Sequence, residues 1–274
     1  MRHVKTDKQP LGNNDLPIVI SASRRTDLVS CYPEHLIEKL KGYPPEKVHT
    51  IVVWTKNPAN MVTPGRLRDL LSSYRQLYIH LTITGLGMSI TEQRIPEWEK
   101  VVDMIPGILE LAGDPKRISW RFDPIVRAEA DGMKISNFDL FPLIAERVKK
   151  YGISTCRTSW VDPYRKVIRR MDKKGVRLIP HSPEERLKQA EHLEQVARKI
   201  GIKINYCSMD GLPRSQCIDG RLLSELHPGG MSCSLRKAKG QRKFCGCTES
   251  LDIGWYSLKC RNGCLYCYAE PLVE

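Results

Sequence analysis

Cys260, Cys264 and Cys267 lie on one short stretch, Cys260-Arg-Asn-Gly-Cys264-Leu-Tyr-Cys267. Three thiolates so close together can hold three irons of a [4Fe–4S] cluster, which leaves the fourth iron open to a ligand that is not protein. The C-x3-C-x2-C spacing differs from the paired C-x2-C of a zinc ribbon. Zinc with a fourth ligand from elsewhere, or three plain buried thiols, are the competing readings. Four more thiols, Cys207, Cys217, Cys245 and Cys247, precede this run. Cys245 and Cys247, one residue apart, can reach the same metal. The four together can make a closed second site, either another [4Fe–4S] cluster or structural zinc, with Cys233 as a substitute ligand. Cys31 and Cys156 read as ordinary buried thiols.

The chain has 274 residues, of which 41% are hydrophobic, a combination that suits one large α/β domain over residues 1–274. Five of its ten cysteines fall within residues 245–267. Such clustering is expected of metal or redox chemistry in a reducing compartment rather than of disulfides. No apolar run approaches the ~18 residues of a membrane span, and the polar residues 1–8 lack the apolar stretch of a signal peptide. The expected location is therefore cytoplasmic. The formal net charge of +13 points to an anionic partner, such as nucleic acid or an acidic electron donor, or to a generally basic surface. Arg236, Lys237, Lys239, Arg242 and Lys243 concentrate that charge just before the cysteines, although so short a run is more often a solvated loop.

These residues need a scaffold. Apolar, β-branched runs predict strands over 18–21, 48–54, 77–84, 118–122, 153–158, 202–207 and 251–255. Helical stretches lie between most of them. The clearest spans 183–200, with Ser182 as N-cap, Pro183 at the first position and Glu185 completing a capping box. Leu187, Ala190, Leu193, Val196, Ala197 and Ile200 form its apolar stripe, and Gly201 suits its end. Ser136 and Asp139 predict the start of another helix, closed by Gly152. Alternating strands and helices imply a parallel sheet, here a full or partial (β/α) TIM-like barrel. An open doubly wound sheet is the alternative, but no G-x-G-x-x-G follows the first strand. Residues 208–249 break the alternation and read as a cysteine-rich insertion before the last strand, with 260–267 as the cluster loop.

In a barrel the C-terminal ends of the strands carry the chemistry. Here those ends hold Ser21, Ser23, Arg24, Arg25 and Asp27, then Lys56 and Asn57, then Arg121 and Asp123. Lys56, Asn57, Arg121 and Asp123 are candidates to touch substrate or cofactor, or else to salt-bridge at the mouth. Asp27 can accept from an ammonium, and Arg24 or Arg25 can pair with a carboxylate.

The cysteine run of 260–267 resembles the cluster signature of radical S-adenosylmethionine (SAM) enzymes. The set Ser23-Arg-Arg-Thr-Asp27, Trp54-Thr-Lys-Asn-Pro58, Trp120-Arg-Phe-Asp-Pro124, Cys217-Ile-Asp-Gly220, Cys245-Gly-Cys247, Asp252-Ile-Gly254 and Cys264-Leu-Tyr-Cys-Tyr-Ala269 resembles a mostly bacterial domain-of-unknown-function family, from about residue 17 onward. The C-terminal cysteines of that family are similar to the radical SAM cluster. The resemblance implies a [4Fe–4S] cluster, SAM and a flavodoxin- or ferredoxin-type reductant. Radical SAM barrels carry the cysteine loop after their first strand, whereas this chain carries it after its last. A circular permutation reconciles the two and sets the last strand beside the first. The Gly-Gly-Glu-type motif that takes the SAM amino group is missing, and Ser21, Ser23, Arg24 or Asp27 stand in its place. Tyr266 is expected beside the cluster or the adenine, with Tyr268 as a second candidate.

Three functions compete: radical SAM chemistry on a small molecule or peptide, the same chemistry on nucleic acid in repair or RNA modification, and a non-enzymatic zinc or iron–sulfur protein.

Overall fold

The computed structural model describes residues 16–255 and 257–273. The polar stretch at residues 1–8 lies outside the described residues. The strands are β1 (Ile18–Ala22), β2 (Val48–Thr55), β3 (Leu77–Thr82), β4 (Ile118–Ile125), β5 (Arg127–Ala130), β6 (Met133–Ser136), β7 (Thr155–Trp160), β8 (Val176–Leu178), β9 (Lys203–Tyr206) and β10 (Leu251–Asp252). The helices are α1 (Leu28–Cys31), α2 (Pro33–Leu40), α3 (Ala59–Val62), α4 (Arg66–Ser72), α5 (Trp98–Asp103), α6 (Ile105–Ala112), α7 (Phe141–Lys149), α8 (Arg165–Asp172), α9 (Pro183–Ile200) and α10 (Gly220–Glu225).

Seven strands form one parallel sheet in the order β10-β1-β2-β3-β4-β7-β9. Each matches one of the seven apolar runs, because a parallel strand buried on both faces needs a nearly continuous apolar sequence. β2 and β3 are buried at every position. The last strand does lie beside the first: Ile20 pairs with Leu251 and Ser21 with Asp252, in parallel.

The two faces of the sheet differ. Ile20, Ile51, Val53, Ile79, Leu81, Trp120 and Phe122 face the helices and pack with Leu36, Leu71, Ile105, Phe141 and Leu193. Full burial of such a side chain contributes about 1.5–3 kcal/mol, so this layer dominates the stability. The opposite face presents Val19, Val52, Trp54 and Tyr78, and it is covered by Cys217, Ile218, Leu223, Cys233, Cys245 and Cys247 from the 208–249 segment. Polar groups fasten that cover. His80 Nε2 donates to the Cys217 carbonyl at 2.7 Å, and Arg157 Nη2 donates to Gln216 O at 3.0 Å. Gln76 Nε2 donates to Leu223 O at 2.8 Å. The insertion is thus a packed layer over the sheet face opposite the helices.

Several expectations need correction. β5, β6 and β8 form a three-stranded antiparallel sheet that no apolar run announced. Ser136 ends β6 instead of capping a helix, and α7 begins at Phe141 after a short 3-10 turn over Phe138–Leu140. In α9 the capping box forms as expected, and Ala190, Leu193 and Ala197 are buried, but Leu187 is exposed. No helix among the described residues is long and apolar enough to cross a membrane.

Candidate metal and ligand cavity

A cavity of about 2390 Å³ opens at the C-terminal ends of β1, β2, β4 and β7. All seven cysteines proposed as ligands line it: Cys207, Cys217, Cys245 and Cys247 in one group, Cys260, Cys264 and Cys267 in the other. Among the described residues no three Cys, His, Asp or Glu side chains converge on one point as a single metal ion requires.

The C-terminal loop is held from several sides. Asn262 Nδ2 donates to Asp27 Oδ2 at 3.0 Å. Arg170 in α8 donates to Leu265 O at 2.9 Å and to Cys267 O at 2.6 Å. The Leu265 N–H donates to Thr91 O at 3.0 Å. Gly263 has φ +66° and sits where a Cβ would come within 2.9 Å of Leu272 O, so the turn between the first two cysteines requires glycine. Cys264, Leu265 and Tyr266 pack on Val126, Ala128, Val161, Val167 and Met171, which come from the second sheet, α8 and the segments beside them. The unannounced antiparallel sheet is therefore the floor of the cysteine loop.

Burial pushes the Cys264 and Cys267 thiols above their usual pKa, the more so at Cys264. Three thiols on one short loop, all lining the cavity, are the donor set that an iron–sulfur group would need. Cys31 is buried, as expected. Its Sγ lies 3.9 Å from Cys260 Sγ, and its thiol holds the Cys260 pKa below the usual value. It belongs to the surroundings of the loop.

The second group draws sulfurs from three segments. Cys207 follows β9, Cys217 lies in the insertion, and Cys245 and Cys247 close it. Cys207 neighbours Cys217, Cys217 neighbours Cys247, and Cys247 neighbours Cys245. The Cys207 and Cys247 thiols that face Cys217 hold its pKa well down, and the Cys247 thiol brings Cys245 to about 6. Cys233 does not line the cavity and hydrogen-bonds Gly220 O at 3.4 Å. Cys156 is buried in the main core, as expected of a plain thiol.

The polar candidates divide. Ser21 and Ser23 donate to Asp252 at 2.9 Å each and tie β1 to β10; only Ser23 lines the cavity. Gly254 packs so tightly on Ser23 that a Cβ would lie 2.1 Å from Oγ. Asp27 caps α1 through the Ser30 N–H and accepts from Thr55 Oγ1 at 3.1 Å and Lys56 N at 2.8 Å besides Asn262. These bonds make it a structural junction of β1, β2 and the cysteine loop rather than a free acceptor for an ammonium. Asn57 is turned out of the cavity: its amide oxygen accepts from Ala59 N at 3.2 Å. Arg24 lines the cavity with its guanidinium 5.7 Å from the Trp54 ring, and its Nε and Nη2 are buried without hydrogen-bond partners. Arg25 also lines it.

Lys56 reaches Glu92 Oε1 at 2.7 Å and Tyr266 Oη at 3.0 Å, while Tyr266 Oη and Thr84 Oγ1 also bond Glu92. Burial opposes the charge on Lys56, but the Glu92 carboxylate together with Cys264 and Asp123 outweighs it, so its pKa lies above the usual value. Glu92 was not singled out from sequence. It is buried, and nothing near it in the chain marks it. Arg121 bonds Asp123 and donates to Cys217 Sγ at 3.2 Å, and Asp123 accepts from Ser159. Tyr268 reaches Arg24 O at 3.4 Å.

No curated protein matches this chain. Among solved structures, the carboxyl transferase domain of Rhizobium etli pyruvate carboxylase is 9% identical, with a TM-score of 0.26 over 80% of this chain. The match spans only 38% of that structure's own chain, and at that score nothing about this chain follows from it. One family model, described as Domain of unknown function (DUF1848), matches residues 42–269, a span that begins after β1 and takes in all seven cavity cysteines. With that much of it matched, the chain belongs to the DUF1848 family.

Proposed function

We propose that the protein is a radical SAM enzyme whose cluster is held by Cys260, Cys264 and Cys267. One observation carries the reading: the three-cysteine loop, reached from the strand paired with β1, opens onto the same large cavity as Arg24, Lys56, Arg121 and Asp123 at the C-terminal strand ends. The seven parallel strands are read as a partial, permuted (β/α) barrel with the insertion inside it.

Held by Cys260, Cys264 and Cys267, a [4Fe–4S] cluster would supply the one-electron reduction that reductive cleavage of SAM requires. The chain's own residues position and shield. Arg24, with two buried unpartnered nitrogens, is assigned to an anionic group such as the SAM carboxylate. The Lys56–Glu92–Tyr266 network keeps a compensated positive charge beside Cys264. Trp54, Trp160 and Val161 give the cavity part of its apolar wall. Small-molecule sites occupy about 300–1,000 Å³. A cavity of about 2390 Å³ therefore has room for SAM and a substrate together. The +13 charge suits an acidic flavodoxin- or ferredoxin-type donor.

The test is electron paramagnetic resonance of the dithionite-reduced protein with and without SAM. A cluster signal that changes on SAM addition is expected, because the open iron takes the ligand. A cluster signal indifferent to SAM, or no cluster at all, contradicts the reading.

A further inference from the structure

We infer that Cys207, Cys217, Cys245 and Cys247 hold a second iron–sulfur cluster, closed by four thiolates and facing the first across the shared cavity. The four cysteines come from three separate segments and line one cavity, and Cys217, Cys245 and Cys247 pack in one buried cluster. They do not surround one point. Four thiolates are the ligand set of a closed iron–sulfur cluster, and zinc is the alternative that the test below separates from it.

The surroundings ask for negative charge. Arg157 is buried, and among the described residues no carboxylate pairs with it. Its donors go to Tyr78, Ser119 and Gln216 O, and its Nε has no hydrogen-bond partner. A buried, unpaired guanidinium is costly unless an anion lies near. Gln216, whose carbonyl accepts from Arg157 Nη2 at 3.0 Å, stands next to Cys217 in the chain. Arg121 Nη1 donates to Cys217 Sγ at 3.2 Å and Arg242 Nη2 to Cys207 Sγ at 3.5 Å. Guanidinium donors aimed at sulfur are the hydrogen bonds that stabilise and tune a cluster thiolate. With all four irons held by protein, such a cluster keeps none open for a substrate.

The inference does not require the C-terminal loop to bind anything, and its test separates the two sites. Iron and acid-labile sulfide are measured in anaerobically reconstituted wild-type chain, in a C260A/C264A/C267A variant and in a C217S/C247S variant. Circular dichroism reports folding. About eight irons per wild-type chain are expected, with about four in each variant. The C260A/C264A/C267A variant is the decisive sample, since it leaves the insertion intact. About four irons there support the second cluster even if the C217S/C247S variant fails to fold. No iron there, zinc in place of iron, or a Cys207–Cys217 or Cys245–Cys247 disulfide found by mass spectrometry overturns it.

Discussion

At the scale of single residues, the cavity mixes groups that bind with groups that brace. Asp27 and Asn57 lie where a ligand group was expected, yet their polar atoms are engaged by the backbone and by Thr55 and Asn262. Arg24 has capacity to spare. Lys56 and Glu92 form a buried pair, and its energetics are testable. Removing one partner of such a pair costs about 3–5 kcal/mol because the other charge is left buried, whereas an apolar replacement of both is nearly neutral. Lys56→Met is thus expected to destabilise the fold by about that amount in urea unfolding, and K56M/E92L to recover more than half of it. Equal losses in the two variants contradict the account of Glu92 as a dependent partner. The role of Glu92 and the contact of Cys31 with Cys260 were illegible in the sequence for one reason. Each acts through a neighbour distant in the chain, Cys31 through Cys260, across 229 positions.

At the scale of elements, the seven parallel strands were legible because burial on both faces leaves a continuous apolar signal. The antiparallel sheet was not. β5 reads Arg-Ala-Glu-Ala and β8 only Val-Arg-Leu, too short and too charged to stand out. Yet that sheet carries the floor of the cysteine loop, and α8 clamps its carbonyls through Arg170. Arg170→Ala is expected to leave secondary structure unchanged by circular dichroism while iron is lost several-fold faster to a chelator. Unaltered iron release refutes the clamp. The capping box of α9 makes a pH prediction. Arg127 and the Ser182 N–H hold the Glu185 carboxylate down, from the usual 4.5 to about 2. A depressed carboxylate stabilises the folded state above its unfolded pKa, and that contribution is lost as pH falls from about 4.5 through about 2. Glu185→Gln is expected to flatten the acid limb of a stability–pH curve across this window, and a curve of unchanged shape counts against the capping box as a pH-dependent contributor.

At the scale of the whole molecule, the insertion over 208–249 shapes the cavity. The sequence marked it as an interruption, but its position on the sheet face opposite the helices depends on Gln76 and His80, at and beside β3, and on Arg157 in β7. The net charge of +13 belongs to this scale as well. A nucleic-acid substrate requires binding whose logarithm falls linearly with the logarithm of salt, with a slope set by the number of phosphates contacted. Fluorescence anisotropy with short DNA and RNA checks it. Salt-steep binding supports a nucleic-acid substrate, and no binding at low salt leaves a small molecule or peptide.

The central claim is that Cys260, Cys264 and Cys267 hold a cluster that cleaves SAM, and the most direct test is chromatography of SAM products after anaerobic reconstitution and dithionite reduction. Release of 5′-deoxyadenosine by the wild-type chain, abolished in Cys264→Ala, is the expected result. A wild-type chain that carries its full iron and leaves SAM intact contradicts the claim.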